Sequence, residues 1–143
     1  MPEIQATMEK AISIYQTGDK AGALQAFSDG FLLPDYGEVL TRALGSQAFD
    51  QAVANVDTMF QVEFPAVQAW DISAEDAARI KQPGLLVLGG ITLPVFRQIH
   101  KKIRELLPEA ESFELPNADH LLMVRNSPDL ANALGDFFTR YPI

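Results

Sequence analysis

Cysteine is absent from the 143 residues. Its absence excludes disulfides, thiolate nucleophiles and thiolate metal sites. Histidine is nearly absent. His100 and His120 are the only two, and neither has neighbours at ligand spacing, so no metal centre and no cofactor are expected. Basic residues are scarce: eleven Lys and Arg stand against nineteen Asp and Glu, for a net charge of −8. A chain of that sign lacks the basic face of a general nucleic-acid binder. No apolar run approaches the roughly 20 residues needed to span a bilayer. The opening MPEIQATMEK has no basic-then-apolar secretion signal, and a cytoplasmic protein is expected. Catalytic motifs are missing as well. Ser13, Ser28, Ser46, Ser73, Ser112 and Ser127 do not lie between glycines spaced as in Gly-x-Ser-x-Gly. LGGI has two glycines but no Lys-Ser/Thr after them, and there is no dinucleotide fingerprint.

What is present divides into two parts. Residues 1–72 read as helices. Ile4, Met8, Ala11, Ile12 and Tyr15 recur at helical spacing, Gly18 stops that helix, and Asp19 is placed to cap a second one carrying Ala23, Leu24 and Phe27. Pro34 marks a break. A helix from about Tyr36 to Leu44 ends at Gly45. Ser46 can cap the next, which runs through Phe49, Val53 and Val56 to Phe60, and Pro65 kinks or restarts it before Trp70. Phe60, Phe64 and Trp70 are expected in the core. Tyr15, Gly18, Asp19, Ala23 and Phe27 resemble the turn of a tetratricopeptide repeat, but the pattern does not recur one period of about 34 residues later. A single helical hairpin is expected instead.

Residues 73–143 read as α/β. Ser73 and Asp76 form a capping-box pattern. PGLLVLGG is an almost wholly apolar run ended by glycines, as in a parallel strand buried on both faces. LPVFRQIHKKIRELLP is amphipathic, with Phe96, Ile99, Ile103, Leu106 and Leu107 on one side. ESFEL is a second short strand. The last helix has Ser127 as cap, Pro128 at its first position, and a stripe of Leu130, Ala133, Leu134, Phe137, Phe138 and Tyr141. A strand, a helix and a strand with a crossover of this length make a parallel pair. Two parallel strands are a deficient sheet, so an unpaired edge is expected, and with it marginal stability or self-association of the isolated chain.

His100 lies in RQIHKKIR on a charged flank. It is expected to face solvent with Arg97, Lys101, Lys102 and Arg104. His120 follows the second strand in a loop, which is where sheets present functional groups. By spacing alone, a turn histidine satisfying backbone groups is the better reading.

The segments FQVEFPAVQAW, QPGLLVLGG and LLPEAESFELPNADHLLMVRNSPDLANALGDFF together resemble the C-terminal part of an α/β-hydrolase. The resemblance implies a partial α/β-hydrolase fold, with residues 1–72 as a helical cap-like segment and 73–143 as the end of the hydrolase core. It implies His120 as the catalytic histidine, a general base for a serine in ester-type hydrolysis. The nucleophile elbow and the earlier strands would lie N-terminal of Met1. A small-molecule substrate would then require that missing half, and this chain alone would not be catalytically competent. After LLVLGG come Ile91, Thr92, Leu93 and Pro94, none of them acidic. The orienting acid must come from elsewhere: Glu63 is the candidate, with Asp71 and Asp119 behind it. The rival expectation is a small non-catalytic α/β module that binds another protein through its sheet edge and apolar helices.

Overall fold

The structure, a computed structural model, describes residues 2–31 and 35–142. The break expected at Pro34 lies outside them. The chain forms two compact units, residues 1–70 and 71–143.

In the first unit, α1 (Pro2–Gln16) and α2 (Lys20–Phe31) form the expected hairpin. Gly18 turns it at φ +87°, a conformation that costs glycine little. Asp19 Oδ1 accepts from the Gly22 N–H at 2.8 Å and so caps α2. Ala11 and Ala23 are fully buried, and their small side chains let the helices approach closely. Around them pack Leu24, Ala26, Val56 and Phe60. Tyr15 stacks on Phe60 with ring centroids 4.6 Å apart. Its hydroxyl donates to Asp57 Oδ1 at 2.9 Å, while Lys20 Nζ meets Asp57 Oδ2 at 2.6 Å. The Lys20 bond, then the Tyr15 bond, hold Asp57 below the usual carboxylate range.

α3 (Tyr36–Leu44) ends at Gly45, φ +104°, as expected. The next helix differs from expectation. Ser46 is not its cap, because α4 (Ala48–Ala54) starts after Gln47 with no side-chain cap. It breaks at Asn55, φ −92°, ψ 1°, and resumes as α5 (Val56–Thr58). A π-turn over Met59–Glu63 then leads into α6 (Phe64–Ala69). Pro65 explains the π-turn. It has no N–H for the Gln61 carbonyl, and its ring would press on that carbonyl in a regular helix. Widening the turn, with the Phe64 N–H bonded to Met59 O, makes room without ending the helix. Phe60 is buried and Phe64 partly so, but Trp70 is 63% exposed, against the expectation of a core residue.

In the second unit, α7 (Ala74–Ala78) begins with the expected capping box. Ser73 Oγ accepts from the Asp76 N–H at 3.0 Å, and Asp76 Oδ2 accepts from the Ser73 N–H at 3.3 Å. β1 (Leu85–Gly89), α8 (Pro94–Leu106) and β2 (Glu111–Leu115) follow. The strands pair in parallel, with Leu85 opposite Glu111 and Gly89 opposite Leu115. The fold class is therefore mixed α/β, mostly helical, with a two-stranded parallel sheet. β1 departs from expectation in its burial. Leu88 and Gly89 are buried, but Leu85, Leu86 and Val87 are only half covered. Two strands and their helices cannot enclose a strand that is apolar on both faces.

α9 (Leu122–Arg125) and α10 (Ser127–Arg140) close the chain. Asn126 is the N-cap of α10, so Ser127 stands inside the helix and gives no side-chain cap. Of the α10 stripe, Phe137 is buried, whereas Phe138 and Tyr141 stay exposed. Among the described residues no helix is long and apolar enough to cross a membrane.

Candidate functional site

The site is built at the C-terminal ends of the two strands. β2 ends at Leu115, and the chain turns through Pro116, Asn117, Ala118 and Asp119 to His120. That turn is laid directly on Gly89 and Gly90. The Gly90 N–H donates to Leu115 O at 2.7 Å, and the Ile91 N–H to Ala118 O at 2.9 Å. A Cβ on Gly89 would stand 2.3 Å from the Asp119 carbonyl oxygen and 2.6 Å from that of Ala118. A Cβ on Gly90 would stand 2.4 Å from the Pro116 carbonyl oxygen. The two glycines that read as a strand stop are thus the floor of the histidine turn.

His120 lies flat on Phe96 of α8, with ring centroids 3.6 Å apart and planes 5° from parallel. It is half-buried, and burial pushes its pKa below 6.5; the adjacent Asp119 carboxylate opposes the shift without reversing it. Burial thus favours the uncharged form of the ring, which can accept a proton. No hydrogen bond to either ring nitrogen is made among the described residues.

Both Asp119 oxygens are engaged by neighbours other than the His120 ring. Its Oδ1 accepts from the Leu121 N–H at 2.7 Å, and its Oδ2 pairs with Arg125 Nε at 3.1 Å. Both oxygens hold the turn in shape. Asp71 pairs with Lys102 at 3.7 Å and accepts from the Ile72 N–H. Glu63 lies on the π-turn of the first unit and is exposed. It lines a shallow cavity of about 280 Å³ with Leu24, Tyr36, Ala52, Asn55, Thr58 and Met59. It therefore has solvent on one side, although the sequence around it is apolar.

Thr92 is 8% exposed, and its Oγ1 has no hydrogen-bond partner among the described residues. A buried hydroxyl left in that state opposes folding.

His100 departs from the solvated role. It is half-buried, and its Nε2 lies 3.1 Å from Ser112 Oγ on β2. Burial, then the Arg104 charge, lower its pKa, while Glu114 acts in the opposite direction. The signal for this contact was the amphipathic helix itself. A helix packed on two strands carries residues beside its apolar stripe over the second strand, and His100 is one. The pair is a serine and a histidine, but it stands on an extended strand. A serine nucleophile of the hydrolase type sits on a strand-to-helix turn that gathers N–H donors. The basic run is exposed yet engaged: Arg97 reaches the Gly90 carbonyl and Glu114, and Lys101 faces Glu105.

Among the described residues no cluster of His, Asp and Glu could hold a metal ion. The class that the fold and site define is a small α/β unit presenting one half-buried, stacked histidine at the C-terminal edge of a parallel strand pair. No family model, curated protein or solved structure matches this chain.

Proposed function

We propose that this chain is the cap and C-terminal portion of an α/β-hydrolase, of the serine ester-type, with His120 as general base. The observation that supports this most is the seat of His120. A loop placed by two close glycine contacts holds a half-buried imidazole at the strand ends, stacked on Phe96 and with its nitrogens unengaged. In the reaction, His120 accepts the proton of an attacking serine and returns it to the leaving group. No serine of this chain stands on a nucleophile elbow, so the chain alone forms no acyl-enzyme. The small-molecule substrate belongs to the completed protein. The orienting acid is proposed to be a carboxylate other than Asp119, whose oxygens are held by Leu121 and Arg125.

The test is the reading frame upstream of the Met1 codon. It is expected to encode strands and a Gly-x-Ser-x-Gly. A fluorophosphonate should label that serine in the longer chain, and His120→Ala should abolish labelling. Labelling that survives His120→Ala, or that falls on a serine of the present chain, refutes the proposal.

A second reading is an interaction module that uses its sheet edge. Its support is β1, a strand apolar on both faces that pairs on one side only among the described residues.

A further inference from the structure

Natural sheet edges are blunted by charge, proline, bulges or a covering element. β2 follows this rule. It carries Glu111, paired with Arg140, and Glu114, paired with Arg97. β1 does not. From Gln82 to Phe96 the chain has no charged residue, fifteen in succession between Lys81 and Arg97. The next longest uncharged run in a protein of 21% charged residues is eight. β1 lies inside that run, so self-pairing along this edge meets no like charges in any nearby register.

The helix above the strand points the same way. Arg97 and His100 of α8 reach β2, through Glu114 and Ser112. One residue in a helix is a rotation of about 100°. Ile99 therefore lies on the flank of α8 turned away from β2, the flank whose Lys102 reaches Asp71, and it is 48% exposed. Ile91, just past β1, is 67% exposed. The second unit carries eight basic and ten acidic residues, whereas the first carries three and nine. Two second units can meet with little repulsion; two first units cannot.

We infer that two copies of this chain pair antiparallel along β1, forming a four-stranded sheet in the order β2-β1-β1-β2 about a two-fold axis normal to the sheet. This inference rests on the second reading and names the occupant of the edge. The pairing is isologous, so each copy offers the other the same surface and the assembly closes at two. It keeps both α8 helices on one face, where Ile99 of each copy covers the other. Centring on Val87 sets Leu86 opposite Leu88 and Leu85 opposite Gly89.

Sedimentation equilibrium of the purified chain should give twice 15.7 kDa. Ile99→Lys, at an exposed position that leaves the fold intact by circular dichroism, should weaken the dimer about tenfold or more. Phe138→Lys removes an equally exposed apolar residue from α10 and should leave the dimer unchanged. Because the chain has no cysteine, Val87→Cys should cross-link as a single species under mild oxidation. A dimer insensitive to Ile99→Lys overturns the inference. A monomer with fast-exchanging outward β1 amides also overturns it but leaves the edge open to another chain. A monomer whose β1 amides are protected overturns the dimer and the open-edge reading together.

Discussion

Replacing Gly89 by alanine tests the foundation of the site. The new methyl would lie 2.3 Å from the Asp119 carbonyl oxygen and 2.6 Å from the Ala118 carbonyl oxygen. Both obstacles are backbone, and neither can rotate aside as a side chain would. Relief requires the 116–119 turn to rise off β1 by about 1 Å, which strains the Ile91 N–H bond to Ala118 O. Overpacking costs about 1–3 kcal/mol, and the backbone obstacle places this case at the upper end. That is a large share of the about 5–15 kcal/mol that holds an ordinary domain together. His120 follows Asp119 directly, so its ring must slide on Phe96, lose burial and regain a pKa nearer 6.5. The assay has two arms: urea unfolding for stability, and proton NMR titration of the His120 ring for its surroundings. Gly84→Ala is the control, since its methyl would meet Ala110 Cβ at 3.5 Å, an ordinary contact; it should shift stability by less than about 0.5 kcal/mol. If Gly89→Ala matches Gly84→Ala in stability and leaves the His120 titration where it was, the turn does not rest on the glycine floor.

Thr92→Val keeps the shape and removes the buried, unpartnered hydroxyl; it should raise stability by about 1 kcal/mol, and a lower melting temperature would show that Oγ1 is paired after all. Gly135→Ala lies inside α10 with open space around the added methyl; it should add about 0.5–1 kcal/mol, read as a higher urea midpoint. His100 and His120 both have native pKa values below 6.5. The unfolded chain therefore binds more protons between those values and 6.5. Stability from these sites is full above about pH 6.5 and is lost as the pH falls through the lowered native values. His120→Gln should flatten that slope, and a native His120 midpoint at or above 6.5 by NMR would refute its burial.

Much of this architecture was legible because local chemistry decided it. Gly18, Asp19, Gly45 and the Ser73–Asp76 box act within four residues, and each stands where spacing put it. Both strands and their parallel pairing followed from the apolar run, the two glycines and the length of the crossover. The misses share a cause, which is that tertiary neighbours overruled local pattern. Pro65 looked like a kink, but the chain absorbed it as a π-turn upstream of the proline. Trp70 looked like core by type, yet nothing in its own sequence said which way it would face. His100 stands among charged neighbours, but its Nε2 lies 3.1 Å from Ser112 Oγ on the strand beside it. Within the site, the position of His120 was readable and its support was not. The spacing of GG to ADH, about thirty residues apart in sequence, carries no hint that one backbone is pressed onto the other. Nor did it show that Asp119 would be spent on Leu121 and Arg125.

The hydrolase reading and the dimer make competing demands on one row of backbone groups. A parallel sheet needs covered faces and several strands, and β1 has the composition of an interior strand. If a longer chain supplies the next strand, that strand takes the outward N–H and C=O groups of β1, and Ile99 is covered from within. If it does not, the outward groups of Leu85 and Val87 have no strand beside them among the described residues, Ile99 stays exposed, and a second copy is the nearest apolar, uncharged edge of matching length. The edge cannot hold both occupants. The dimer therefore belongs to the chain as it stands, and adding a sheet-bearing N-terminal segment should dissolve it while protecting the same β1 amides. A complex that stays dimeric through β1 after such an addition would count against the hydrolase assignment, however well His120 is seated.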